Sequence, residues 1–237
     1  MKLNWLPALA LAIATPAYAG PPYETDDPDP TELGHWEIYA FDDFEGHGSD
    51  LEGSFGLDLN YGAWEGVQLT ATLPIDYTHD GDWQADAGDL EAGVKYRFVE
   101  TEGGFSAAIF PRLILPTSTA ADADDHVRLL LPVWGQIEAG ATTVFGGGGY
   151  EVNPGAGNRD FWVAGLAITR DINESVSLGV EATHQTPSET DGASSTSAGL
   201  GAIFKLHAPF ALLFSGGPTW SDGRTSYHGY AAIGLAF

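Results

Sequence analysis

The sequence predicts an all-β fold, a transmembrane antiparallel up-and-down β-barrel of about twelve strands, with ten strands as the alternative. Apolar and polar residues alternate with the period of a β-strand, most clearly over residues 88–116. Short turns recur near residues 63, 101, 138, 173 and 208. Their spacing of about 35–38 residues matches two membrane-crossing strands with one turn and one longer loop. After the N-terminal segment there is no run of roughly 18 apolar residues, so a transmembrane helix is not expected.

The N-terminal residues 1–19 have the pattern of a secretory signal peptide. Lys2 gives a positive start, residues 6–14 are apolar, and Ala17-Tyr18-Ala19 predicts cleavage after Ala19. An uncleaved anchor is the alternative, but the apolar stretch is too short to cross a bilayer. Residues 20–33 are rich in proline and predict an extended periplasmic segment, and residues 34–237 form the predicted barrel.

The composition excludes several classes of function. The formal net charge is −24, and it becomes −25 when Lys2 is lost with the signal peptide. With only nine Lys and Arg residues, the chain has little positive charge to offer nucleic-acid phosphates or an anionic substrate. The absence of cysteine excludes disulfides and thiolate metal sites. The solubility of exposed loops is the preferred explanation of the acidic excess.

The early strands have the alternation expected of a wall with lipid outside and water inside. The first is predicted from residue 34 to about 44, the second over residues 51–61, and the third from residue 67, with polar loops at 45–50 and 78–88. In the hairpin of residues 88–116, Tyr96 and Phe98 lie on the apolar face, while Lys95 and Arg97 lie on the opposite face. A soluble sandwich would instead turn its apolar face inward.

The later hairpins follow the same plan, and the last strand is predicted from about residue 227 to residue 237. An even number of strands places both termini in the periplasm and the longer loops outside. Aromatic residues fall into two groups, as expected at two membrane interfaces. Beside the short turns lie Tyr61, Trp64, Tyr96, Phe98, Phe105, Phe204, Phe210 and Phe237; beside the long loops lie Phe44, Tyr77, Tyr150, Phe161, Trp220 and Tyr227.

Two stretches carry a resemblance to a known family. Thr25-Asp26-Asp27-Pro28, followed by Gly34-His35-Trp36-Glu37, resembles the opening of the outer-membrane transporters named for the MetA pathway of phenol degradation. Residues 110–117, FPRLILPT, resemble that family's mid-barrel strand, and residues 230–237 are similar to the closing-strand signal of outer-membrane barrels. The resemblance implies a barrel that takes up hydrophobic or aromatic compounds, and it implies no catalytic residue.

Charged residues on the predicted lumen wall are the candidate selectivity residues. These are Glu91, Lys95, Arg97, Arg112, Glu181 and Lys205. The first four share one wall, and Glu181 and Lys205 form a second candidate pair on adjacent late strands. The alternative, which we prefer, is a mutually compensating network that supports the closed barrel.

Three further features, residues 80–91, the histidines and residues 25–28, each have a functional and a structural explanation. Residues 80–91 loosely resemble a calcium loop, but Ala85 stands where that loop needs glycine, so solvation or bridging to lipopolysaccharide explains the acids better. The histidines show no fixed metal-ligand spacing, and no metal site is predicted. Residues 25–28 could plug the lumen or form a capped turn before the first strand, and the turn is preferred.

The sequence therefore predicts an outer-membrane channel or transporter for small, hydrophobic or aromatic, solutes in a Gram-negative bacterium. Its expected partners are outer-membrane lipid, lipopolysaccharide, the barrel-assembly machinery and the solute, with no nucleic acid and no cofactor. One alternative is a non-conducting structural or adhesive barrel. The other is a phospholipase-type enzyme, for which His47 and Ser49 are the nearest pairing in the outer loops. Porin-like passage without covalent chemistry is preferred over both.

Overall fold

The computed structural model describes residues 22–121 and 123–237, so the predicted signal peptide and its cleavage position lie outside the described residues. No helix in the described part of the chain is long and apolar enough to cross a membrane. The strands are β1 (Trp36–His47), β2 (Asp50–Trp64), β3 (Val67–Asp80), β4 (Asp82–Ala87), β5 (Leu90–Glu100), β6 (Phe105–Ile109), β7 (Arg112–Leu115), β8 (Arg128–Ala139), β9 (Thr142–Val152), β10 (Phe161–Asn173), β11 (Val176–Gln185), β12 (Ser195–Lys205), β13 (Phe210–Ser221) and β14 (Arg224–Ala236).

These strands form one antiparallel sheet that closes on itself. The closing pair is β1 with β14, where Glu37 lies opposite Ala236. Both β6 and β7 lie between β5 and β8, so they are two halves of one interrupted strand. The short β4 pairs with β3 and extends that hairpin. The described residues therefore form a barrel of twelve strands, as the sequence predicts.

Side-chain exposure is inverted relative to a soluble protein. Outward residues such as Phe55 and Leu57 are each 44% exposed, whereas the inward Lys95 is only 2% exposed. Exposed apolar side chains recur along the strands, which is the surface expected against hydrocarbon. Nearly all of the predicted aromatic positions fit this surface, but Phe161 is 7% exposed and its side chain is not part of it. The predicted arrangement of apolar outside and polar inside is confirmed.

The two ends of the barrel differ in their connections. At the end that we call the turn end, the connections are residues 65–66, 101–104, 140–141, 174–175 and 206–209. These lie close to the five predicted turn positions. Gly66 and Gly104 have φ of 72° and 77°, values that a residue with a side chain adopts only with strain. The other end, the loop end, carries three longer connections, 116–127, 153–160 and 186–194, and the short connections 48–49, 81, 88–89 and 222–223.

Two predicted loops and the predicted start of the last strand are wrong in extent at the loop end. β1 continues to His47 and β2 begins at Asp50, so most of residues 45–50 is strand. Residues 78–88 include the end of β3 and all of β4, and β14 begins at Arg224, before the predicted residue 227. The ladder continues because backbone pairing, such as Glu45 opposite Glu52, does not require apolar side chains.

The core sits inside the barrel and is divided into sectors. Tyr39 and Leu213 are fully buried against Ala211 and Ala232, which forms an apolar sector of the inner wall. Charged residues and a segment from the N-terminus occupy other sectors. The interior is therefore packed in part and is not an open aqueous pore.

Candidate functional site: the barrel lumen

Residues 22–31, which we call the plug, lie within the barrel. Thr25 and Pro28 are among its fully buried side chains, and Tyr23 packs against Phe145 and Ala167 of the inner wall. The preference for a simple turn before β1, and for a segment outside the barrel, is therefore wrong. Local Asx-type contacts do exist, because the amide of Asp29 donates to Asp27 at 2.9 Å, but they shape the plug inside the lumen.

The carboxylate of Glu181 on β11 anchors the start of the plug. It accepts hydrogen bonds from the backbone N–H of Thr25 at 3.2 Å and of Glu24 at 3.4 Å, and from Thr25 Oγ1 at 3.2 Å. Glu181 is 6% exposed. A buried carboxylate is costly unless its oxygens find donors, and here the plug backbone supplies them.

Two cations on β5 anchor the acidic middle of the plug. Lys95 Nζ lies 2.9 Å from Asp26 Oδ1 and 3.8 Å from Asp27 Oδ1. Arg97 Nη1 lies 2.9 Å from Asp29 Oδ1, and Arg97 also pairs with Glu100 at the turn end. The two cations on the wall are thus compensated largely by acids of the plug, and not only by acids of neighbouring strands.

The end of the plug is held by neutral polar contacts. Gln68 Oε1 on β3 accepts hydrogen bonds from Thr31 N at 2.8 Å and from Thr31 Oγ1 at 3.0 Å. Gln68 in turn donates to Asn60 at 2.7 Å. The plug therefore crosses the lumen from β3 to β11, and its contacts with the wall differ in kind along its length.

Wall glycines make room for the plug. A Cβ at Gly165 would meet the Thr25 side chain, and a Cβ at Gly179 or Gly201 would meet the ring of Tyr23. These glycines belong to β10, β11 and β12 and have no positive φ, so no special backbone conformation requires them. They allow the side chains of the plug to approach the wall closely.

We expect Gly201→Leu to displace the start of the plug while the barrel persists. The added side chain would overlap the ring of Tyr23, and overpacking of this kind costs about 1–3 kcal/mol. Faster proteolysis within residues 22–31, with unchanged strand content by circular dichroism, is the expected result. Ala202→Leu, on the outward face of β12, is the matched control, and equal proteolysis of the two variants would contradict the contact.

The remaining predicted lumen residues behave differently from one another. Arg112 Nη1 lies 3.5 Å from Glu91 Oε2, so these two wall residues do compensate each other. Glu181 and Lys205 are not brought together, because Glu181 lies opposite Gly199 and Lys205 is six residues further along β12, about 20 Å away. The prediction that Glu181 and Lys205 form a pair on adjacent strands is wrong.

The interruption between β6 and β7 places an aromatic ring in the lumen. Pro111 has no backbone N–H to donate, which favours a break in the ladder at this point. Phe110 is 5% exposed, and its ring centroid lies 5.1 Å from Lys95 Nζ and 5.3 Å from Arg112 Cζ. The ring thus packs between two of the predicted selectivity residues.

The lumen contains two adjoining cavities on the loop side of the plug, which together we call the loop-side chamber. One has a volume of about 560 Å³ and the other about 400 Å³. Glu24, Glu45 and Arg112 line both. A smaller cavity of about 140 Å³ lies beside Lys95 and Arg112. The plug thus forms part of the chamber wall.

An apolar groove of about 560 Å³ lies on the outer wall near the loop end. Phe44, Phe55, Tyr77 and Trp83 line it. Tyr77 donates a hydrogen bond at 3.0 Å to Asp42, which also lines the groove. The groove shares Phe44 and Tyr77 with the lining of the larger cavity of the loop-side chamber, but aromatic side chains dominate the groove and carboxylates dominate the cavity.

The loop end shows one compact group of candidate metal ligands among the described residues, Asp124, Asp125 and His126. His126 Nδ1 lies 2.6 Å from Asp124, and this hydrogen bond lowers the pKa of the Asp124 carboxyl and raises the pKa of the His126 imidazole. The group is explained as an ion pair. Residues 80–91, which loosely resemble a calcium loop, contribute no such group in the described chain.

His47 and Ser49, the candidate catalytic pair of a phospholipase-type enzyme, do not hydrogen-bond to each other. His47 Nδ1 lies 2.7 Å from the carbonyl oxygen of Thr225, and Ser49 Oγ donates to Asp50 at 3.1 Å. Each of the two side chains is therefore engaged elsewhere.

Sequence reasoning identified the cations of the site but missed their partners. The signal was present: Asp26, Asp27 and Asp29 form the acidic run of the N-terminal segment, and Lys95 and Arg97 lie on one face of a strand. The contacts span more than sixty residues of sequence. Nothing local in the chain indicates that the two groups meet.

Comparison with known proteins supports the fold. No known family matches the sequence, and no curated protein sequence matches it. The structure is similar to the COG4313 outer membrane channel from Pseudomonas putida F1, with a TM-score of 0.73 and 14% identity over 90% of this chain and 100% of that chain. It also resembles the translocator domain of the autotransporter NalP from Neisseria meningitidis, with a TM-score of 0.57 and 17% identity over 89% of this chain and 91% of that one.

A third similar structure is the β domain of the Bordetella autotransporter BrkA, with a TM-score of 0.50 and 16% identity over 88% of this chain and 100% of that chain. At these identities the likeness is one of fold alone. The resemblance of residues 25–37 and 110–117 to the MetA-pathway transporters has no support from a family match. The chain therefore has the transmembrane barrel fold.

Proposed function

We propose that the protein is an outer-membrane channel that passes small solutes through its lumen. The observation that carries this proposal is the closed barrel of twelve strands with an apolar exterior and a charged interior that is partly hollow. The likeness of fold to an outer membrane channel supports it. Outer-membrane lipid and lipopolysaccharide would surround the apolar exterior. The barrel-assembly machinery would recognise the closing strand β14.

The plug sets the resting state in this proposal. It crosses the lumen and is held at Glu181, Lys95 and Gln68, so passage requires its displacement. The ion pairs are the part of this attachment that ionic strength weakens most. Opening is accordingly expected to be easier at high salt.

The channel is expected to prefer cations. Five carboxylates, those of Glu24, Asp43, Glu45, Glu52 and Asp76, and one guanidinium line the larger cavity. A lumen with one dominant sign of charge raises the local concentration of the opposite ion by about tenfold or more. In planar bilayers under a potassium chloride gradient, the reversal potential should show this preference, and Glu45→Gln/Glu52→Gln should reduce it. A preference for chloride would contradict the assignment.

Hydrophobic or aromatic solutes are the second candidate cargo. The outer groove lined by Phe44, Phe55, Tyr77 and Trp83 favours them, because its lining is aromatic. Adding such solutes as blockers in the same recordings separates the two classes of cargo. A barrel that gives no current with or without its plug is the structural or adhesive alternative, and hydrolysis of ester substrates would identify the phospholipase alternative.

A further inference from the structure

The loop-side chamber carries an excess of negative charge, because five carboxylates and one guanidinium, that of Arg112, line its larger cavity. No ion pair of the described residues includes Glu24, Asp43, Glu45, Glu52 or Asp76. Their contacts are with hydroxyls: Glu24 accepts from Thr183 Oγ1 at 2.9 Å, and Glu45 accepts from the Ser226 hydroxyl. Carboxylates in a cavity with this lining favour a positively charged group.

An independent feature of the same chamber calls for a hydrogen-bond acceptor. Trp134 lines the smaller cavity and is 4% exposed, and its Nε1–H has no acceptor among the described residues. Arg112 lines both cavities, and its Nε–H is likewise buried without an acceptor, although Nη1 contacts Glu91. Buried donors without partners are rare in native proteins and are costly.

We propose that the loop-side chamber is a binding subsite for a small zwitterion that carries an ammonium group and a carboxylate, such as an ω-amino acid. The proposal rests on the channel function above and names a class of solute for it. Glu24 and Glu45 would hold the ammonium group, because these two carboxylates line both cavities. The solute carboxylate would accept from the Nε–H groups of Arg112 and Trp134.

The other residues that line the smaller cavity suit a short solute. Leu130 and Val163 provide apolar contact in the smaller cavity, where the Thr183 hydroxyl also lies. A volume of about 400 Å³ is near the lower end of the usual range for small-molecule sites. A simple anion is disfavoured by the five carboxylates, and a simple cation leaves both N–H donors without an acceptor.

Three probes of similar size separate these possibilities: β-alanine, n-propylammonium and propionate. Binding to the detergent-solubilised mature protein is measured by ligand-observed NMR titration, which requires no transport. We expect β-alanine to bind about tenfold more tightly than n-propylammonium, because of the added charge-assisted hydrogen bonds, and propionate to bind most weakly. Tightest binding by propionate or by n-propylammonium, or no binding by β-alanine, would overturn the subsite.

Variants identify the groups responsible. Trp134→Phe keeps an aromatic, though smaller, side chain and removes the donor, and it should weaken β-alanine binding about tenfold without changing n-propylammonium binding. Glu45→Gln should weaken both. Trp162→Phe, at an outward residue that is 60% exposed, is the control. Equal β-alanine affinity in Trp134→Phe and in the control would overturn the assignment of the donor.

The binding assay and the channel assay fail independently. A protein that binds β-alanine but gives no current in bilayers, with or without its plug, contradicts the channel and leaves the chamber as a receptor site. A protein that conducts but binds none of the three probes contradicts the subsite and leaves the channel standing.

Discussion

Replacement of Lys95 by glutamine is expected to release the plug and raise the fraction of time that the channel conducts. Lys95 is 2% exposed and contacts both Asp26 and Asp27. Removing one partner of a buried ion pair leaves uncompensated charge and costs about 3 kcal/mol. A cost of that size shifts the equilibrium between the bound and the displaced plug by about a hundredfold.

Single-channel recording measures this shift as the open probability. Lys95→Arg keeps the charge and should stay near the native value. Lys205→Gln removes a lysine at the turn end for which no ion pair is found among the described residues, and it serves as the control for net charge. An open probability that is the same in Lys95→Gln and Lys205→Gln would refute the role of the ion pair.

Deletion of residues 20–31 should produce a permanently conducting channel with a larger unitary current than any point variant. The strand ladder would persist, because β1 begins at Trp36 and pairs with β14 and β2 along its length. Glu181, Lys95 and Arg97 would then face water in the emptied lumen. The measurement is the unitary conductance in planar bilayers.

A double variant provides the control for this deletion. Once the plug is absent, Lys95→Gln has no plug to release, so it should leave the open probability of the deleted protein unchanged. Native-like current from the deleted protein would show that residues 20–31 do not limit passage.

The barrel could be predicted from the sequence because its determinants are local. Alternation such as Val94, Lys95, Tyr96 and Arg97 assigns each side chain to a face within a few residues. Turn positions follow from polar, glycine-containing stretches, and Gly66 and Gly104 indeed have positive φ. Strand ends at the loop side were less predictable, because hydrogen bonding continues where the apolar pattern stops.

The lumen could be predicted only in part because its contacts are non-local. The sequence places Glu91, Lys95, Arg97 and Arg112 on one wall, where Arg112 contacts Glu91. It does not reveal that Asp26 and Asp29 pair with that wall, or that Gly165 and Gly201 make room for Thr25 and Tyr23. Selectivity at the six candidate residues stays a prediction that the recordings above test.

Disulfide trapping in membranes tests the central claim, that the N-terminal segment lies in the lumen of a membrane barrel. The chain has no cysteine, so Thr25→Cys/Gly165→Cys introduces the only thiols. A Cβ at position 165 would lie 3.1 Å from Thr25 Cβ, and disulfides need about 3.5–4.5 Å, a small adjustment. Thr25→Cys/Leu166→Cys, with the second thiol on the outward face, is the control. We expect mass spectrometry to find the cross-link in the first pair and not in the control; no cross-link in the first pair, or equal cross-linking in both, would contradict the account.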